Sequence, residues 1–121
     1  MNSILVVGAG GFIGQHLLKY FRAQVIPIFK DTVDIFDLNS VKNFLKYNKC
    51  NTVINCVTYG GKKPIISTDL ETVRKNLQIF NNFYSNRQYF NKYINIGSGA
   101  EFNSNLYSYG VSKKYYQFHG W

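Results

Sequence analysis

Tyr109 and Lys113 stand four residues apart in a stretch that reads as helical from about Tyr107 onward. Residues at that spacing are neighbours on one helix face. An ammonium beside a phenol lowers the phenol's pKa, so the pair could exchange a proton near neutral pH. Spacing alone is a weak signal. With 10 tyrosines and a similar number of lysines in 121 residues, random placement gives on the order of one such pair. A second match, Tyr59 and Lys63, falls in a loop with Gly and Pro that cannot readily hold both on a helix face. Order is what lifts Tyr109 and Lys113: Ser98 directly follows the apolar run "YINIG", and the tyrosine comes after it at the start of a helix.

A second constellation lies near the N-terminus. In "GAGGFIG", Gly8, Gly11 and Gly14 give Gly-x-x-Gly-x-x-Gly between the apolar run "ILVV" and the helically spaced Ile13, Leu17, Leu18 and Phe21. Gly8 suits a tight turn, Gly11 would let the backbone approach a pyrophosphate, and Gly14 would let the helix pack against the sheet. The start of that helix, with Phe12 and Ile13, presents unpaired N–H groups and a partial positive charge to a diphosphate. Reading Gly10 as the second glycine leaves the third position without a glycine, so the first spacing is preferred.

These residues need a scaffold, and the remaining pattern supplies one. Short apolar runs at 4–7, 25–29, 52–57 and 92–97 alternate with amphipathic segments, which predicts a parallel sheet covered on both faces. Pro27 places the second strand at an edge or a bulge. Leu38, Val41, Phe44 and Leu45 mark one helix face, with Asp37 or Asn39 as cap. Thr68 and Glu71 form a capping box for another helix, whose apolar face runs through Leu70, Val73, Leu77, Phe80 and Tyr84. With right-handed crossovers the expected architecture is a Rossmann-like α/β sheet of order 3-2-1-4, truncated after about four strands.

Composition narrows the function class. Hydrophobic residues make up 45% and charged residues 17%, which fits one folded domain over 1–121. The formal charge of +8 would suit a polyanion, but the basic residues are scattered, which argues against nucleic acid. Cys50 and Cys56 complete no zinc spacing and are expected to be reduced thiols. The N-terminus carries neither a signal-peptide pattern nor a membrane-spanning run, so a cytoplasmic location is expected.

The Gly-x-x-Gly-x-x-Gly turn resembles the short-chain dehydrogenase/reductase superfamily, in particular its extended branch of nucleotide-sugar epimerases, dehydratases and reductases. "VDIFDLNSVKNFL" resembles the matching stretch of dTDP-4-dehydrorhamnose reductases. "GSGAEF" is similar to the post-strand segment in which the catalytic Ser precedes an aromatic residue by four positions, here Ser98 and Phe102. The resemblance spans residues 4 to 113. It implies NADP or NAD as cofactor and hydride transfer at a sugar carbon. Tyr109 would be the acid/base, Ser98 would bind the reacting oxygen, and Lys113 would tune the phenol and hold the nicotinamide ribose. Asp34 and Ile35 would contact adenine, while Asn55, Cys56 and Val57 would pass close to the dinucleotide, Asn55 by fixing backbone. Asn76 matches an asparagine common in the family's fourth helix. At the end of the second strand, Lys30 would favour the 2′-phosphate of NADP, whereas Asp31 in that role would favour NAD.

The gap from Ser98 to Tyr109 is shorter than is common in the family, which implies a trimmed loop. The family's further strands and its nucleotide-sugar lobe have no counterpart in this sequence. The expectation is therefore a cofactor-binding half that holds dinucleotide without turning over a sugar alone, with a homo-oligomer or a second polypeptide completing the sheet. A non-catalytic dinucleotide-binding module is the competing reading.

Overall fold

The computed structural model describes residues 3–21, 24–57 and 70–96. Ser98, Tyr109 and Lys113, with Tyr59, Lys63, Thr68 and the expected tail helix, lie outside the described residues. In chain order the elements are β1 (Ile4–Val7), α1 (Phe12–Phe21), β2 (Val25–Ile28), α2 (Leu38–Tyr47), β3 (Thr52–Asn55), α3 (Leu70–Tyr84), a single 3-10 turn at Arg87–Tyr89, and β4 (Lys92–Asn95). The strands form one sheet, parallel at every pairing, of order β2-β1-β3-β4.

That order corrects the expected 3-2-1-4. A third strand outside β2 would need hydrogen bonds from β2's outer edge. The carbonyl of Ile28 accepts from Gly8 and Ala9, both at 3.0 Å, so Ile28 faces β1. By alternation Pro27, paired in register with Val6, turns its backbone outward and has no N–H to offer there. Residues 29–37 form turns instead, Thr32 N–H to Phe29 C=O (3.0 Å) and Asp37 N–H to Asp34 C=O (3.1 Å). The chain then crosses β1, and β3 pairs on its other side. Of the edge and the bulge that Pro27 left open, the structure takes the edge.

Right-handed crossovers with a reversal after β2 put α1 on one face of the sheet and α2 on the other. Strand periodicity shows both faces. Leu5, Val53 and Tyr93 share a row and join a core with Val41 and Leu45 of α2 and Ile79, Phe80 and Phe83 of α3. Val6 and Ile54, one residue on, are buried on the opposite side. Tyr93 packs its ring against Phe80, Phe83 and Phe90 at centroid distances of 5.8, 6.0 and 6.4 Å, and burial pushes its phenol well above the ordinary tyrosine range. Neither Cys50 nor Cys56 is disulfide-bonded, and burial pushes the Cys50 thiol up to about 11.

The two later helices differ in how far their sequence faces hold. At α2 the cap is Asp37, whose carboxylate accepts from the Ser40 N–H at 3.1 Å and from its hydroxyl at 2.6 Å. Val41 and Leu45 are buried beneath it. At α3 the expected stripe through Leu70 and Tyr84 is displaced: Leu70 is 82% exposed, while Asn76, Ile79, Phe80 and Phe83 form the buried face. Asn82 and Asn86, which no hydrophobic pattern would select, are buried beside it.

Candidate functional site

The end of β1 lies between the ends of its two neighbours. Gly8 and Ala9 bond to Ile28 of β2, and the Cys56 N–H bonds to the Val7 carbonyl at 2.9 Å. β1 thus sits where the connections leave in opposite directions, the position at which open α/β sheets bind ligands beyond their strand C-termini.

The turn that fills this position is built by exclusion of side chains. Gly8 has φ +84°, and a Cβ there would come within 2.8 Å of the Val57 side chain and 3.2 Å of the Val57 backbone nitrogen. A Cβ on Gly14 would collide with the Gly8 carbonyl oxygen and stand 2.8 Å from the Ala9 Cα. Gly11 is different: a Cβ there would find only the Gly8 oxygen, at an ordinary 3.5 Å. Gly8 and Gly14 therefore serve the fold, and Gly11 leaves space open. The Gly11 N–H caps the turn on the Gly8 carbonyl at 3.1 Å, and Gln15 reaches back to the Gly10 carbonyl at 2.8 Å.

Beside this turn opens a cleft of about 1230 Å³, lined by Gly8, Gly10 and Gly11 of the turn, by the loop Phe29–Phe36, by Val57, and by Ser40, Asn43, Phe44 and Tyr47 of α2. Of the residues singled out in the sequence, Gly8, Gly11, Lys30, Asp34, Ile35 and Val57 line it, as does Asp31. Lys30 and Asp31 are both exposed at the tip of a turn that Thr32 closes, its hydroxyl oxygen accepting from the Phe29 N–H at 2.9 Å. The Asp34 carboxylate accepts from the Phe36 N–H at 3.0 Å. Phe12, 80% exposed, and Ile13 stand at the start of α1 outside the cleft wall.

Asn55 fixes backbone, as its place in the sequence suggested. It is buried, its side-chain oxygen accepts from the Val57 N–H at 3.0 Å, and its amide donates to the Asn95 side-chain oxygen at 3.0 Å. Asn95 is its register partner on β4. Asn76 is fully buried in α3, not a solvent-facing residue. Sequence reasoning passed over Asn95, Gln78, Asn82 and Thr32. Only Thr32 carried a local signal, a short hydroxyl in a turn. Among the described residues no group of His, Cys, Asp and Glu could hold a metal, and no helix is long and apolar enough to cross a membrane.

Comparison with known proteins agrees with this geometry. The model of the NAD dependent epimerase/dehydratase family matches residues 4–109. A GDP-mannoheptose C4 reductase from Campylobacter jejuni with NADP bound superposes with TM-score 0.74 at 20% identity, over 94% of this chain and 41% of that one. A GDP-6-OMe-4-keto-L-xylo-heptose reductase from C. jejuni gives TM-score 0.79 at 21% identity, over 94% and 40%. A hypothetical dTDP-4-dehydrorhamnose reductase from Sulfolobus tokodaii gives 0.75 at 14%, over 98% and 52%. The chain thus spans about half or less of the length of these neighbours. No curated protein matches the chain in sequence.

Proposed function

The chain belongs to the NAD dependent epimerase/dehydratase family, and from that premise we propose that it binds NADP or NAD in the cleft beside the glycine turn and serves hydride transfer at a carbon of a nucleotide-linked sugar. The observation that carries this is the division of labour among the glycines: Gly8 and Gly14 shape the turn, while the position of Gly11 is open toward the cleft. A cradle that a methyl would fill suits the close approach of a diphosphate to backbone N–H groups at a helix start.

Within that reading the residues divide by role. Gly8, Gly11 and the first turn of α1 hold the diphosphate. Asp34 and Ile35 flank the adenine, and Val57, fixed through Asn55, forms the floor. Lys30 at the turn tip favours a 2′-phosphate over free ribose hydroxyls, in keeping with the NADP held by the C. jejuni reductase. A bound nicotinamide supplies the donor or acceptor of hydride. Tyr109 gives or takes the proton at the sugar oxygen, Lys113 stabilises the phenolate, and Ser98 orients that oxygen. Such a role belongs in the cytoplasm, where reduced dinucleotide is kept available.

The test begins with separate titrations of NADPH and NADH, followed by nicotinamide fluorescence and thermal midpoint. Saturable binding with a raised midpoint, tighter for NADPH, is expected, and Lys30→Ala should lower that preference about tenfold. Tyr109→Phe should leave NADPH affinity within about twofold and remove any turnover of a keto-sugar nucleotide seen once a second polypeptide completes the site. Binding without turnover by the chain alone is the outcome expected of a cofactor-binding half. Absence of turnover in the completed assembly would move the chain to the non-catalytic module, and no binding by a folded chain would defeat both readings.

A further inference from the structure

The loop that forms the outer wall of the cleft packs Val33, Ile35 and Phe36 against the core but pairs with no strand. Its backbone carbonyls are held from across the molecule, by one edge of α3. The Gln78 side-chain amide donates to the Phe36 carbonyl at 2.5 Å, and the Asn82 amide donates to the Ile35 carbonyl at 2.8 Å. One turn earlier on the same edge, the Lys75 ammonium lies 4.7 Å from the centre of the Phe36 ring. Asn82 is itself buried, and its own carbonyl accepts from the buried Asn86 amide at 2.7 Å. Three side chains spaced three to four residues apart thus converge on two consecutive loop residues.

A buried amide that spends its donor on a loop carbonyl does more than satisfy itself. Carbonyls of an irregular segment need partners, and whichever donors meet them decide where the segment lies. Here the two carbonyls belong to Ile35 and Phe36, and the residue before them, Asp34, bonds its carboxylate to the Phe36 N–H at 3.0 Å. The path of the backbone at 35–36 therefore fixes where Asp34 and Ile35 meet the cleft.

We propose that Gln78 and Asn82 are positioning residues for the adenosine half of the dinucleotide, holding the loop at Ile35–Phe36 so that Asp34 and Ile35 form its wall. This rests on the reading of the cleft as a dinucleotide site. It assigns α3 a share in cofactor affinity although neither side chain lines the cleft. Because only the loop is displaced, loss of these donors weakens the adenosine half and spares the nicotinamide half.

The experiment uses three probes, NADPH, adenosine 2′,5′-bisphosphate and reduced nicotinamide mononucleotide, titrated against the unaltered chain, Gln78→Ala and Asn82→Ala, with thermal midpoints recorded alongside. For Gln78→Ala, whose side chain is only partly buried, affinity for NADPH and for the bisphosphate should fall together by about fivefold, with the mononucleotide unchanged. Asn82→Ala should show the same split with a larger fall, and Gln78→Glu, which sets a carboxylate against the Phe36 carbonyl, should match or exceed Gln78→Ala. The proposal is overturned if the variants bind the bisphosphate as the unaltered chain does, or if both halves weaken in proportion to a lowered midpoint. If the unaltered chain binds neither NADPH nor the bisphosphate, the dinucleotide reading fails and takes this proposal with it.

Discussion

The two walls of the cleft are made by opposite means. The glycine turn at 8–14 is defined by atoms that must be absent, since a Cβ on Gly8 or Gly14 would meet backbone or side-chain atoms at less than van der Waals distance. The loop at 29–36 is defined by atoms that must be present: the Thr32 hydroxyl, the Asp34 carboxylate, and the amides of Gln78 and Asn82. A wall built by exclusion is rigid, and a substitution there costs the fold. A wall built by hydrogen bonds can shift without the fold failing, so a substitution there changes what the cleft holds.

The largest break in that contrast is Gly14→Ala. Its methyl would collide with the Gly8 carbonyl oxygen, which is backbone and can yield only if α1 moves away from the sheet. A loss of about 2–4 kcal/mol is expected, the range typical of overpacking and backbone displacement. In a domain of this size that lowers the thermal midpoint by roughly 10 °C or more. A midpoint within a degree or two of the unaltered chain would show that the turn relaxes freely.

Gly11→Ala sharpens the comparison from within the same motif. The nearest atom to its Cβ is 3.5 Å away, so the fold should tolerate it within about 0.5 kcal/mol, and reduced chain entropy in the unfolded state works in its favour. The methyl would nevertheless project into open space where Gly11 lines the cleft. NADPH affinity should fall about tenfold or more while the thermal midpoint holds, read by titration and melting on one preparation. Glycines three residues apart would then be separated into one that shapes the turn and one that clears the site.

How much of this was legible in the chain follows the same division. Strand, turn and helix at 4–21 were visible because their causes are local: apolar runs, glycines at fixed offsets, helical spacing. Pro27 narrowed the second strand to an edge or a bulge for an equally local reason, a missing donor, although the expected order set that strand inside the sheet. Strand order was not visible, because whether β3 lies outside β2 or beyond β1 depends on what residues 29–37 do, and turns leave no periodicity. The buried face of α3 was misread at its ends for a related reason, while Leu77 and Phe80 do pack on the core. Leu70 and Tyr84 look like core and stand exposed, while Asn82 looks like surface and is buried because a carbonyl 47 residues away receives its amide. Such a pairing exists only once the chain is folded. The glycine wall was readable, and so were Lys30, Asp34 and Ile35 of the hydrogen-bonded wall but not the Thr32, Gln78 and Asn82 groups that hold it, while Ser98, Tyr109 and Lys113 rest on sequence alone.

The smallest expected effect lies at the tip of the hydrogen-bonded wall. Thr32 closes the turn that carries Lys30 and Asp31, its hydroxyl oxygen accepting from the Phe29 N–H at 2.9 Å and its own N–H donating to the Phe29 carbonyl at 3.0 Å. Thr32→Val keeps the shape and the backbone bond and removes the hydroxyl. Phe29 is exposed, so water replaces the lost acceptor and stability should change by only about 0.5 kcal/mol. The turn would still form but hold its tip less firmly, and Lys30 would meet a 2′-phosphate from a wider spread of positions. The ratio of NADPH to NADH affinity should therefore fall about twofold to threefold, with NADH affinity itself unchanged. An unchanged ratio would mean that Lys30 acts as a freely moving charge, indifferent to the turn beneath it, and that the hydrogen-bonded wall governs adenine but not the phosphate.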